Sequence, residues 1–571
     1  MVNFNDKYRR NLKLWLVCAI GFIIIFSIIV IGGFYMVKPH LDSFVKKEIS
    51  RRYIKAETSE VSILGKVNLT HVTVPVPTGI SLKIGAISAR PPISFIPGTF
   101  TLYNVDLKYN NLHVQIPKIS LNSVALKEKD ATFTSHLLQS LTRIELSSIS
   151  APNILLSFKN KNELTEKIEI QNFHLYNFKN SHIHSVSFQK MNLATTTVSG
   201  TKLRHLIAKS NAITAHNIDI RYAYSVIFGK KTAPNSINEG KVVTGPISLD
   251  DMIIDVYEGA EKTASFSIGK FKTSGLRMKP LEQAPEKLIK AYLNARKNNH
   301  QTTEKTARDA ILLETFQAIT SIDAQLDKVS IDVPQLKATL ESFQFKPNQW
   351  EQSIPKKLFL SLSNLSIIPK EIKEQDFNFL KEMNFERFDL SGKLDVSYDE
   401  KKRALFLNTM SLDVGNIGSG EVSAKIIDID KRLFSGQKDE IIAAFQDFGI
   451  TEIGVRYTDT GFIDKLFSYL AKNLNDNQHN LKEELYNDFY LIMTQSPKVL
   501  LKNHEKAENI SKSLGDFVKN LQTRNFHTLI IKIVAKDNKG ITMADFKNIL
   551  QSNLSTTLDK VNLMVTNEAS S

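Results

Sequence analysis

From Leu14 to Val37 the chain runs for 24 residues without a charge. As an α-helix rising about 1.5 Å per residue, such a run covers roughly 36 Å, enough to cross a bilayer's hydrocarbon core with some tilt. Trp15 and Tyr35 stand near its two ends, where amphipathic rings favour the headgroup level. A cleavable leader has a shorter apolar region followed by a small-x-small site, and Gly32-Gly33 is a poor version of one. Cys18 follows Val17 inside the apolar run, which does not suit lipoprotein attachment. The sequence therefore predicts one uncleaved transmembrane helix and a single-pass protein.

Orientation rests on opposing signals. Lys7, Arg9, Arg10 and Lys13 precede the run, while Lys38, Lys46, Lys47, Arg51, Arg52 and Lys55 follow it. A plain count of Lys and Arg favours a cytosolic body. A short basic tail before a first apolar run, however, acts as a signal anchor, and long domains translocate largely regardless of charge. The chain's single cysteine lies within the apolar run, so the body carries no thiol, which suits an oxidising compartment. The expectation is an inner-membrane protein with its N-terminus in the cytoplasm and its body in the periplasm.

The net charge of +14 comes from scattered lysines rather than a basic stripe interleaved with aromatics, so nucleic acid is not expected as a partner. Basic residues do gather after the anchor. Lys46, Lys47, Arg51, Arg52 and Lys55 fall on a helix expected over Asp42 to Lys55, with the last four sharing one side. This collar reads either as a solvated helix face or as contact with anionic headgroups, worth about 1 kcal/mol per basic residue near the surface.

Beyond Thr58 the pattern becomes one of short alternating runs. Tyr103, Val105, Leu107 and Tyr109 alternate on odd numbers and Leu112, Val114 and Ile116 on even ones, so Asn110-Asn111 reads as a two-residue hairpin turn. Further strands are predicted at Ile218–Val226, Met252–Tyr257, Lys328–Val333, Leu358–Ile367, Phe388–Tyr398, Leu405–Val414 and Val422–Ile427. No βαβ alternation accompanies them, which favours an antiparallel, extended or curved sheet with one wetted face. Helices are expected over 281–299 and 303–322, the second with a stripe of Ile311, Leu312, Phe316 and Ile319. Stripes at Phe462, Leu466, Phe467 and Leu470 and at Ile510, Leu514, Phe517, Val518 and Leu521 mark two more. A strand over His527–Ala535, a helix opened by Thr542 with Asp545 three residues on, and a strand through Val561, Leu563 and Val565 follow. Thr566 to Ser571 reads as a frayed tail.

The fold class expected is a single transmembrane helix followed by a mainly antiparallel β body, with inserted helices and an α+β C-terminal unit. Its parts are a basic tail (1–13), the anchor (14–37), a membrane-proximal basic helix (38–57), a β-rich domain (58–280), a helical pair (281–325), a second β-rich region (326–458) and the helix-rich C-terminal unit (459–571).

No catalytic constellation emerges. The chain has no G-x-S-x-G, H-E-x-x-H, phosphate-cradling or dinucleotide-binding glycine motif. Asp428 and Asp430 have the spacing of the first calcium-loop ligands, but Arg432 stands where the third belongs and Leu433 where the turn needs glycine. His182 and His184 share one face of an expected strand, with His174 nearby, and read mainly as polar-face residues beside serines. Neither enzyme activity, metal nor cofactor is expected.

The run after the anchor resembles the N-terminal part of the AsmA-like family of bacterial inner-membrane proteins. Val61 to Leu69, Ile80 to Gly85, the proline-bearing link from Arg90 to Gly98, and Leu102 to Leu107 carry the resemblance, with the strand to Ile116 closing the block. Leu360 to Ile367 and Asp389 to Val396 have the same character; the helix-rich C-terminal unit departs from the family. The resemblance implies a periplasmic curved sheet with an apolar inner face, linked to phospholipid movement or envelope integrity, and carries over no catalytic residues. Two readings stay open: a body that binds membrane lipids, or an envelope scaffold that binds other envelope proteins. An open apolar groove favours the first and a closed, packed core the second.

Overall fold

A computed structural model describes the chain from Lys55 to Ala569, apart from residues 62–65, 76–79, 91–97, 127–143, 160–164, 229–239, 371–381 and 546–556 and shorter stretches of up to three residues. The predicted anchor therefore lies outside the described residues. Among the described residues no helix is long and apolar enough to cross a membrane. The chain divides into two compact units, residues 1–230 with 241–263, and residues 231–240 with 264–571. Both are mainly antiparallel β-structure.

The first unit is a meander in which each strand pairs with the next. It runs β1 (Thr58–Val61), β2 (Val67–Pro75), β3 (Ile80–Arg90), β4 (Gly98–Tyr109), β5 (Leu112–Leu126), β6 (Ile144–Lys159) and β7 (Thr165–Lys179). Beyond β7 the strands come as end-to-end pairs. β8 (His182–Phe188) and β9 (Lys190–Ser199) both lie against β7, then β10 (Lys202–Ser210) with β11 (Ile213–Asp219), and finally β13 (Ile247–Glu258) along both. The turn at Asn110-Asn111 is the expected two-residue hairpin: Tyr109 faces Leu112 and Asn110 has φ 49°.

The side-chain pattern departs from simple alternation. Val105 and Leu107 are buried, but so are Phe100 and Leu102, while Tyr103 is exposed. Asn104, at φ 51°, resets the parity and turns Tyr103 to the other face. The irregularity continues across the sheet. By register, His71 (φ 49°), Gly85, Asn104 and Pro117 stand opposite one another in β2 to β5. Asn172 (φ 53°) in β7 bonds Gln189, which separates β8 from β9. Apolar residues on both sides of this line reach one face, where strands β2 to β8 build a closed core including Leu102, Ile119, Leu121, Ile154, Phe173 and Leu175.

Two expectations fail here. Ile218–Val226 is not a strand: β11 stops at Asp219, whose carboxylate accepts the Tyr222 N–H at 2.8 Å and opens helix α1 (Ile220–Phe228), with the short β12 (Lys241–Thr244) next in the chain. Lys55, expected to end a helix, is extended and exchanges backbone bonds of 2.8 and 3.1 Å with Thr73.

The second unit is a meander of β14 (Glu261–Thr273), β17 (Ala324–Asp332), β18 (Leu336–Glu351), β19 (Ile354–Pro369), β20 (Phe388–Asp399), β21 (Ala404–Val414), β22 (Gly418–Ile427), β23 (Gly449–Asp459), β24 (His527–Ala535) and β26 (Val561–Ala569). Short β15 (Leu276–Met278) and β16 (Ile319–Ile322) pair at the base of a helical pair, α2 (Pro285–Lys297) and α3 (Gln301–Ala318). The second predicted helix thus stops four residues early, and Ile319 is in a strand. Helix α4 (Lys438–Ala444) follows a 3₁₀ turn at Lys431–Phe434. Helices α5 (Phe462–Leu474), α6 (Gln478–Leu500) and α7 (His504–Gln522) lie between β23 and β24, and the two-residue β25 (Ile541–Thr542) pairs with β23. The tail from Thr566 is not frayed to Ala569: Thr566 and Glu568 pair with Ile530 and Thr528.

Candidate functional site

One face of the second unit's sheet is apolar for its whole width. At one level, Ile268, Val329, Leu340, Leu365, Leu390 and Val414 stand opposite one another in successive strand pairs. Two levels further along the strands come Ala324, Phe345, Leu360, Leu394, Met410, Val422, Val455, Ile531 and Val565. Between these levels run Phe271, Leu326, Phe343, Leu362, Gly392, Leu412, Gly420 and Tyr457. As in the first unit, a line of irregular positions keeps the face continuous. Gly269 faces Lys328 (φ 54°), Lys328 faces Glu341, and Glu341 faces Asn364 (φ 51°).

This face is uncovered over much of its width. No residue of β17, β18 or β19 is fully buried. Met410 is 55% exposed and Leu412 53%. Leu412 lies between Gly392 and Gly420, and a Cβ at Gly420 would meet nothing within 4 Å, so a trough runs beside it. Burying a Leu side chain fully is worth about 1.5–3 kcal/mol, so each half-exposed one leaves roughly 1 kcal/mol unrealised. A contiguous apolar surface of this kind makes this face the candidate site.

The face is covered at one end and along part of one margin. At the β23–β26 end, Tyr457, Leu529, Ile531 and Val565 pack against Phe517, Val518 and Leu521 of α7 and Tyr486 of α6. Asp459 orders this junction: it is buried, accepts the Gly461 and Ile463 N–H groups at 2.8 and 3.2 Å, and takes the Tyr457 hydroxyl at 2.9 Å. Burial and the Asp459 carboxylate push the Tyr457 phenol well up. Along one margin, Ile429, Leu433, Phe434, Phe445 and Phe448 pack on Ile354, Tyr398, Leu405 and Ile426, and the Tyr398 hydroxyl donates to the Ile429 carbonyl at 3.1 Å. Beside it Lys356 reaches Glu351 at 2.6 Å and Glu400 at 2.7 Å, and these bonds raise its pKa.

The opposite face is polar and internally paired. A shallow hollow of about 730 Å³ there is lined by Lys328, Glu341, Asn364, Arg387 and Asp389, among others. Asn364 donates to Glu341, and Arg387 holds Asp389 at 2.6 Å, keeping that carboxyl below its ordinary range. Glu341, Arg387 and Asp389 are thus engaged with neighbouring side chains.

Of the five collar residues, Lys46, Lys47, Arg51 and Arg52 lie outside the described residues, and Lys55 is exposed on the edge of the first unit. His182 is exposed, with Nε2 3.0 Å from the Asp219 carboxylate. His174 instead stacks on Tyr176 at 5.8 Å. Among the described residues no group of His, Cys, Asp and Glu could hold a metal ion. Asp430 accepts the Arg432 N–H at 2.8 Å and caps the 3₁₀ turn, an ordinary loop role.

A protein family described as "Uncharacterized protein" matches residues 411–568. The match runs from β21 to β26 and takes in the helix-covered end of the sheet. No curated protein matches the chain.

Proposed function

We propose that the protein is a single-pass envelope protein whose body holds lipid acyl chains against the open apolar face of its second unit, acting by binding rather than catalysis. The observation that carries this reading is the width of the uncovered face from β17 to β22, with Met410 and Leu412 of β21 more than half exposed. The uncharged run Leu14–Val37 supports attachment to the inner membrane with the N-terminus cytoplasmic, and the cysteine-free body supports a periplasmic site. The resemblance of residues 60–121 to the AsmA-like family, with its curved sheet, points the same way. On this reading the collar from Lys46 to Lys55 faces anionic headgroups.

The test is native mass spectrometry of the full chain released from detergent, with lipid extraction, compared with Leu412→Glu. Phospholipid bound in defined stoichiometry, and lost in the variant, is the expected result. A lipid-free mass for the folded wild type would overturn it and favour the envelope scaffold, for which the exposed Leu491, Ile492 and Val499 of α6 supply a docking surface.

A further inference from the structure

The helical pair of α2 and α3 presents a second apolar surface, separate from the sheet face. Ala307, Ile311, Glu314 and Ala318 define the inward side of α3, with Glu314 and Ala318 buried. The outward side carries Leu312, Leu313 and Phe316, which are 50%, 54% and 66% exposed. On α2, Leu288 and Ala295 are buried while Ile289 and Leu293, one turn apart, are exposed. Of the expected stripe, Leu312 and Phe316 therefore face away from the protein's core, whereas Ile311 lies on the inward side and Ile319 falls in β16.

The charges on these helices are distributed unevenly. Lys287, Lys290, Arg296, Lys305 and Arg308 are exposed. Of the acidic residues described, Glu314 is buried, Glu304 is half-buried, and exposed Asp309 lies 3.5 Å from Arg308. On α3 itself Lys305 and Arg308 stand against Glu304, Asp309 and Glu314, so the excess of cations comes from α2. Taken together, the two helices present an outward surface of Leu, Ile and Phe with more exposed Lys and Arg than exposed Asp and Glu, which suits a membrane interface, apolar side chains in the acyl boundary and cations among the headgroups. The cationic excess selects an anionic surface, and for a body tethered to a membrane the bilayer is the anionic surface within reach.

We infer that α2 and α3 dock on the surface of an anionic phospholipid bilayer, with Leu312, Leu313 and Phe316 entering the interface. This inference rests on the membrane attachment proposed above, and the experiment separates the two. Full-length protein carrying Cys18→Ser and Phe316→Cys is labelled with an environment-sensitive fluorophore. It is reconstituted in phosphatidylcholine vesicles with or without phosphatidylglycerol, some containing spin-labelled acyl chains. Lys402→Cys, in an exposed turn, provides the control position.

The expected result is a blue shift and quenching at position 316 that grows with phosphatidylglycerol, weakens with added salt, and is absent at 402. Protein that floats with the vesicles while position 316 stays in water overturns this inference and leaves the attachment standing. A blue-shifted probe that the lipid spin labels do not quench also overturns it, because a protein surface then covers the patch. Protein that does not float overturns both.

Discussion

Asn104 sits in mid-strand at a positive φ, and Gly85 stands opposite it. A Cβ added to Gly85 would come 3.0 Å from the Asn104 Cβ, so this irregular position depends on a glycine on one strand and a residue tolerant of the left-handed region on the other. A β-branched residue there is strained by roughly 1–2 kcal/mol. Asn104→Val is expected to lower the unfolding free energy measured by urea titration by that amount, and Asn104→Gly to leave it nearly unchanged. Equal loss in both would show that the asparagine side chain, not the backbone, matters. These positions are why parity misled the sequence reading at Tyr103: a residue in the left-handed region looks like any other asparagine in a run of apolar alternation. Asp545 was easier to read, since Thr542 and Asp545 have near capping-box spacing. The Asp545 carboxylate accepts the Thr542 N–H at 2.9 Å and hydroxyl at 2.8 Å and the Lys560 ammonium. Burial pushes this carboxyl up, but Lys560 and Thr542 outweigh it and hold it below the usual value. A group depressed in the folded state contributes fully above its unfolded pKa, about 3.9, and loses that contribution as pH falls through the folded value. Asp545→Asn should therefore weaken the second unit by about 2 kcal/mol at pH 7 and flatten the acid limb of its stability profile below about pH 4. An acid limb as steep as that of the wild type would refute the assignment.

Elements were legible where periodicity was long and local signals agreed with it. The strand at His527–Ala535 has the predicted bounds, and the stripes through Phe462–Leu470 and Ile510–Leu521 fall on α5 and α7. Between them, α6 went unmarked because its apolar residues are divided between a buried side and exposed Leu491, Ile492 and Val499. Helix α1 was mistaken for strand because Tyr, Val and Ile dominate it, and only the Asp219 cap overrides that preference. The α3 stripe was split by the fold, Leu312 and Phe316 being exposed while Ile311 is partly buried and Ile319 falls in β16, because periodicity shows that a face exists, not which way it points. Helix α7 carries the packing that closes one end of the sheet face: Phe517 is buried against Tyr457, ring centroids 6.3 Å apart. Phe517→Ala should destabilise the second unit by about 3–5 kcal/mol, read from its thermal midpoint. A loss below about 1 kcal/mol would mean that the helices do not cover the sheet as described.

At the scale of the whole molecule the same sequence pattern, alternating Leu, Ile, Val and Phe, serves two ends. In the first unit it builds a closed core; in the second it leaves an uncovered face. Sequence could not tell these apart, because the distinction depends on what lies over the sheet and not on the strands themselves. Paired substitutions separate them. Leu102 is fully buried in the first unit, so Leu102→Ala removes burial and leaves a cavity, and should cost about 3–5 kcal/mol. Leu362, on the uncovered face of β19, is only partly buried. With no surrounding shell to be left empty, Leu362→Ala should cost about 1 kcal/mol. Urea unfolding of the lipid-free protein checks both. Adding phospholipid should then raise the stability of wild type more than that of Leu362→Ala, since a ligand bound to the folded state stabilises it in proportion to its affinity. Leu102→Ala, distant in sequence and part of another core, should gain as much as wild type. Equal costs for the two substitutions would show that the second unit's face is closed in solution, and the case for lipid held there would fail with it.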